Sequence, residues 1–251
     1  FMTRAMNMRF CKIALTTMPF RSSATRQNML RALFNNISQS TIERTLNKAY
    51  AERLDERGST PQGVFWNSRQ NQMVRFAALL SRVTGHVAWT KPAPHTLSIA
   101  DIGCGYGAML DFIRTNPQFA HLRYTGLDIN KAMIAACQDN FPDDAHLFSV
   151  GKKPASTVDF CVFSGTFNLC HIDDTGRWEA YMFACLDACW QNSRRGMALN
   201  LLCASETKID NQIFYANRAD FIAKTSAHFG PTHAIATREV KDDYTFLITR
   251  V

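Results

Sequence analysis

Asp101-Ile102-Gly103-Cys104-Gly105-Tyr106-Gly107 stands between an apolar stretch, Leu97-Ser98-Ile99-Ala100, and Ala108-Met109-Leu110-Asp111-Phe112-Ile113. The apolar stretch reads as a buried parallel strand, and the later one as the helix that follows it. Glycines at the turn between them remove side chains, so the backbone can close on a bound nucleoside. Further on, Tyr124-Thr125-Gly126-Leu127-Asp128 reads as a second short strand ending in an acid. A carboxylate at that place can accept hydrogen bonds from both hydroxyls of a ribose. A glycine-rich turn with a distal acid is the arrangement of a nucleoside-binding α/β fold.

Glycine spacing narrows the nucleoside. The dinucleotide fingerprint is G-x-G-x-x-G, whose late third glycine lets a pyrophosphate meet the helix N-terminus. Here Gly103, Gly105 and Gly107 form G-x-G-x-G, with Asp101 two positions before the first glycine. The Gly-Lys-Ser/Thr of a phosphate-gripping loop is missing. The stretch resembles the first motif of the class I S-adenosylmethionine (SAM) methyltransferases, commonly D-x-G-C-G-x-G. That resemblance implies SAM as cofactor. It puts Asp101, Gly103, Cys104, Gly105 and Gly107 in the cofactor loop, with the glycines and Cys104 along the methionine portion and Asp128 on the ribose.

The order of elements after Asp128 agrees. A helix is expected over 131–140, a strand over 146–150, a buried strand over 159–165, a helix over 177–191, a strand over 197–203 and a helix over 219–229. Two last strands, 234–240 and 244–251, are joined by Lys241-Asp242-Asp243. Three residues cannot span a parallel crossover, so this pair is antiparallel. The expected fold is α/β: a Rossmann-like, mostly parallel seven-stranded sheet, an antiparallel C-terminal hairpin, helices on both faces and an N-terminal helical lid. The resemblance covers roughly residues 45 to 251.

At 251 residues the chain has ample length for one core. No apolar run is long enough to cross a bilayer. Its eight cysteines are scattered and never spaced C-x-x-C. Cys185 and Cys189 share a helix face, but one such pair cannot complete a tetrahedral zinc site. The reading is buried free thiols, a reducing, cytoplasmic setting and no metal. The net charge of +7 comes from one end. Residues 1–40 carry Arg4, Arg9, Lys12, Arg21, Arg26 and Arg31 and no acid, leaving 22 basic against 21 acidic residues beyond them. This basic leader reads three ways: an organelle transit peptide, which would place the protein in an organelle matrix, an upstream extension, or an arm that touches RNA. The domain plan is a leader at 1–40, a helical lid segment at 41–95 and a SAM-binding core at 96–251.

Within the lid, Met29, Leu30, Leu33, Ile37, Ile42 and Leu46 have helical spacing and face a core. Ser68 is placed to cap a helix that carries Arg75. The stretch from Trp66 through Arg75-Phe76 is similar to a subgroup of small bacterial methyltransferases whose leading segment folds over the cofactor. On that resemblance Trp66 walls the site and Arg75 pairs with the SAM carboxylate through its planar fork. Many family members hold the adenine amino group with an acid after the third strand. Here Val150 is followed by Gly151-Lys152-Lys153, which leaves adenine to backbone groups and apolar walls such as Ile129.

Ser164-Gly165-Thr166-Phe167-Asn168 ends the fourth strand, on the rim where open α/β sheets bind ligands. Ser164 and Gly165 belong to the cofactor side, while Phe167 and Asn168 border the substrate. Enzymes that methylate the amino groups of nucleic-acid bases often carry N-P-P-Y or D-P-P-Y there, and this chain does not. His171 is the histidine nearest the expected methyl site and a candidate general base for an oxygen nucleophile. The expected activity is SAM-dependent methylation of a small molecule, at nitrogen or oxygen. RNA or protein methylation is the alternative, and a SAM-binding regulatory or scaffold protein the alternative of another class. The residues do not specify an oligomeric state.

Overall fold

Residues 23–66, 68–88 and 96–250 are described in the computed structural model, with side chains for 39–66, 68–86 and 96–250. The chain divides into two compact units, Phe1–Ile42 and Glu43–Val251. The described part of the first is helical, the beginning of α1 (Ser23–Arg57). Cys11, most of the basic leader and the side chains of Met29, Leu30, Leu33 and Ile37 lie outside what is described.

The second unit is built on a sheet whose parallel part runs β3-β2-β1-β4-β5. These strands are β1 (Leu97–Ile102), β2 (Leu122–Asp128), β3 (Phe148–Val150), β4 (Val158–Phe163) and β5 (Ser193–Ala204). β4 is buried at every position, which is why it reads as an unbroken apolar run rather than an alternation. β9 (Asp243–Thr249) lies antiparallel along Gly196–Leu202 of β5 and carries β8 (Thr232–Ala236) antiparallel on its other side. The expected seven-stranded sheet with its reversed C-terminal pair is therefore present.

Two strands were not foreseen. β6 (Lys208–Asp210) and β7 (Ile213–Asn217) form a hairpin, and the last two residues of β7, Ala216 and Asn217, pair in parallel with Cys203 and Ala204 of β5. Its turn is Asn211-Gln212, both at positive φ (49° and 63°), as a two-residue turn of the type that matches strand twist requires. Phe214 of β7 is fully buried.

Helices cover both faces. On one lie α2 (Arg69–Ala88), α3 (Ala108–Thr115) and α4 (Lys131–Asn140). α2 presents Phe76, Leu79, Leu80 and Val83, the i, i+3, i+4, i+7 stripe of an amphipathic helix, to a core that includes Ile99, Phe160, Ala198 and Leu247. At about 1.5–3 kcal/mol for each buried side chain, that stripe is what anchors α2 to the sheet. α5 (Thr175–Trp190) and α6 (Arg218–His228) lie on the opposite face, where Phe221 meets Phe246 edge-on at 4.9 Å. Ser68 caps α2 as expected, its Oγ accepting the Asn71 N–H at 3.1 Å.

All seven described cysteines are buried and free. Among the described residues no helix is long and apolar enough to cross a membrane, and no three His, Cys, Asp or Glu side chains are grouped to hold a metal ion.

Candidate functional site

The strand order turns between β1 and β4, so their crossovers leave in opposite directions and a crevice opens beyond their C-terminal ends. Asp101 from β1, Gly103 to Tyr106 of the loop, Asp128 and Ile129 after β2, and Ser164 to Phe167 after β4 line this cleft. It encloses about 990 Å³, its mouth included.

The loop and the distal acid are physically joined. Gly105 N–H donates to Asp128 Oδ2 at 3.0 Å, and Asn130 N–H donates to Oδ1 at 2.8 Å. The Gly103 and Cys104 N–H groups both donate to the Leu127 carbonyl, at 2.7 and 3.0 Å. Gly105 has φ +56°, and a Cβ there would stand 3.1 Å from Val64 Cγ1, so the turn requires glycine on two counts. A carboxylate oxygen can accept more than one hydrogen bond, so Asp128, which lines the cleft, keeps acceptor capacity beyond these backbone bonds.

Asp101 is only 2% exposed and accepts the Tyr124 hydroxyl at 3.0 Å. Burial raises its pKa to about 7, with the Tyr124 bond opposing and the neighbouring Asp128 charge adding. Burial likewise lifts Asp128 to about 6, against the backbone N–H groups of Asn130 and Gly105 that favour its charged form.

The segment before β1 supplies the facing wall through Asn47 and Tyr50 of α1, Val64, Trp66, and Gln72 and Phe76 of α2. Trp66 lies directly on Gly165, where a Cβ would come within 2.7 Å of its indole. The Asn47 backbone carbonyl accepts Asn130 Nδ2 at 2.9 Å, while its side-chain Oδ1 is buried without a donor. Nothing in a motif marks Asn47 or Tyr50. They reach the cleft because the helix carrying them crosses it. Lys152 also lines the cleft, but its ammonium is held by Glu43 at 2.8 Å.

A second cavity, about 1170 Å³ with its open side, adjoins the first, and Tyr50, Val64, Trp66 and Gly165 line both. Arg75 and Asn168 belong to this second cavity and not to the cleft. Arg75 Nε is 2.6 Å from Asp243 Oδ2, and its guanidinium lies 4.6 Å from the centre of the Trp66 ring. Gly107 sits behind the loop as the N-cap of α3. His171 lines neither cavity. It meets Phe65 edge-on at 6.4 Å, its Nε2 is buried without a partner, and burial lowers its pKa. Ser164 lines the cleft with its hydroxyl 3.3 Å from Asn200 Oδ1, and Phe167 lines it with the ring against Phe163 at 5.3 Å.

Residues 100–187 match Methyltransf_11, a methyltransferase domain family. Rv1506c of Mycobacterium tuberculosis, assigned by its name to the methyltransferases, is 32% identical over 128 residues, half of this chain and 76% of that protein. The chain belongs to the class I SAM-dependent methyltransferases. Solved structures of the same fold include the magnesium protoporphyrin IX methyltransferase of Synechocystis PCC 6803 with bound SAM (TM-score 0.52, 13% identity, 85% of this chain and 97% of that one). The plantazolicin methyltransferase BpumL, in complex with a triazolic desmethylPZN analog and SAH, is similar to the same degree (TM-score 0.52, 15% identity, 86% and 98%). At such identities they speak to the fold.

For this methyltransferase the residues of the cleft fit its cofactor. The free capacity of Asp128 suits a diol, the undonated Asn47 Oδ1 suits an amine or hydroxyl donor, and the loop leaves backbone where a side chain would stand. When bound, SAM supplies a methyl group on a cationic sulfonium, and the protein supplies position and electrostatics.

Proposed function

We propose that this methyltransferase binds SAM in the first cleft and transfers its methyl group to a small molecule held in the adjoining cavity. The observation that carries this reading is the shared wall: Trp66, Tyr50, Val64 and Gly165 border both spaces, so two ligands would meet there. Methyl transfer is an in-line displacement, and holding donor and acceptor end to end is most of what a protein must contribute.

In this reading Asp128 accepts the ribose hydroxyls, and the Gly103–Gly105 backbone with Cys104 and Asp101 follows the methionine portion. Ile129 and Asn47 border the base, with Trp66, Ser164 and Gly165 closing the methyl end. Phe167 lies beneath that end, and Asn168 reaches the acceptor. SAH formation tests the proposal. Purified protein with labelled SAM should methylate components of a metabolite extract that pass a small-solute filter. Label appearing only in RNA or protein would replace the small-molecule reading.

A further inference from the structure

The second cavity has a chemistry of its own, and the inference drawn from it rests on the methyltransferase reading above. Its walls are apolar and partly aromatic: Phe65, Trp66 and Tyr215, with Leu169, Leu202 and Ile213. Within them stand two polar side chains that are more than nine-tenths buried, Arg75 at 8% exposure and Asn168 at 7%.

Both are held from behind with donors to spare. Asn168 Oδ1 accepts the Leu202 N–H at 3.2 Å, which assigns the amide orientation and leaves its NH₂ group unspent among the described residues. Arg75 Nε lies 2.6 Å from Asp243 Oδ2 in an ion pair without hydrogen-bond alignment, and the other oxygen of Asp243 accepts the Thr237 hydroxyl at 2.7 Å. The guanidinium carbon lies over the Trp66 ring, 4.6 Å from its centre. No described group takes its terminal amines. A buried guanidinium paired with a carboxylate on one side and lying over an indole has lost much of its rotamer freedom, so less further ordering opposes a ligand. Lys241 adds a cation at the exposed edge, with Asp242 beside it.

We infer that the acceptor is a ring-bearing small molecule with a carboxylate, its ring against the aromatic wall and its carboxylate on Arg75 and Asn168. The planar guanidinium matches a carboxylate in a way that a point charge does not. The carboxylate is the handle, and the atom to be methylated lies on the ring toward Trp66 and Gly165, where the two cavities meet. Arg75 and Asn168 are then specificity residues, and Asp243 positions Arg75.

The test uses the full chain saturated with SAH and two matched pairs of probes, 4-hydroxybenzoate against phenol and anthranilate against aniline, titrated by ligand-observed NMR. Each carboxylate should bind at least tenfold more tightly than its neutral partner. Asn168→Asp keeps an oxygen for the Leu202 N–H and exchanges the amide donor for an acceptor, so it should erase that preference and leave SAH affinity unchanged. Arg75→Lys keeps the charge and loses the fork, and should weaken the carboxylates tenfold with SAH again unmoved. Equal binding of charged and neutral partners overturns the inference, as does no saturable binding of either to the SAH-loaded protein. Loss of SAH affinity in Arg75→Lys would assign that arginine to the cofactor instead. Failure of SAH to bind the unaltered protein would overturn the methyltransferase reading itself, and this inference with it.

Discussion

Gly105 donates its backbone N–H to the carboxylate of Asp128 at 3.0 Å, so the glycine loop and the acid 23 residues later form one hydrogen-bonded unit. A change in either therefore disturbs both. Gly105→Ala would place a Cβ at φ +56° and 3.1 Å from Val64 Cγ1. A left-handed non-glycine residue costs about 1–2 kcal/mol. We expect a loss of stability of that size in denaturant titrations, and SAH affinity about tenfold lower as the N–H is pulled from Asp128.

The titration of Asp128 predicts a pH profile. Its pKa is raised to about 6 by burial, and in the proposed binding mode it is the charged form that would accept the ribose hydroxyls. SAH affinity should be flat above that pH and fall by up to about tenfold per unit below it. Asp128→Asn should remove the dependence. A profile that is unchanged in that variant would assign the effect to another group.

Folding stability of the unliganded protein should move the other way. Asp101, raised to about 7, and Asp128, raised to about 6, both favour the protonated folded state. Their contribution is complete below the ordinary carboxylate range and is lost as pH rises through those values. The melting temperature should therefore fall between about pH 4 and pH 7, and less steeply in Asp101→Asn.

Asp159 supplies a contrast remote from the cleft. Burial alone would raise its pKa, but the Ser98 N–H and hydroxyl, with Arg194 and Arg195, outweigh burial and hold it low. Its contribution is present above the unfolded carboxylate pKa and lost as pH falls through the depressed folded value. Asp159→Ala, which leaves the N–H and hydroxyl proton of the half-buried Ser98 without their acceptor, should cost about 1–3 kcal/mol. SAH affinity should not change.

The Arg75–Asp243 pair tests how the second cavity is supported. Asp243→Ala leaves a buried guanidinium without its counter-charge and should cost about 3–5 kcal/mol in equilibrium unfolding. Arg75→Met combined with Asp243→Leu removes both charges and should recover most of that loss.

Much of the fold was legible because its signals are local. β1 and β4 are apolar runs, the loop glycines follow a strand, and the last two strands are too close in sequence to be parallel. The β6–β7 hairpin was missed because its turn is Asn211-Gln212 instead of a glycine turn and its strands are only three and five residues long. Within the site, Asp101, Gly103, Cys104, Gly105, Asp128 and Ile129 share one cleft, as the motif spacing implies. Arg75 was placeable on a helix but not in a cavity. Its partner Asp243 is 168 positions away in β9, and no short-range pattern reports such a pairing. Asn47 carries no signal beyond its place on a helix. His171 stood out by residue type alone, and three residues of chain after Asn168 were enough to take it away from both cavities.

Titration calorimetry of SAM and SAH into the purified chain and into Asp128→Ala is the most direct test of the central claim. The account predicts micromolar binding of both to the unaltered protein, and an affinity about a hundredfold lower or undetectable once the two ribose acceptors are gone. A folded, unaltered protein that binds neither, or an Asp128→Ala variant that binds as tightly as its parent, would contradict the assignment of the cleft.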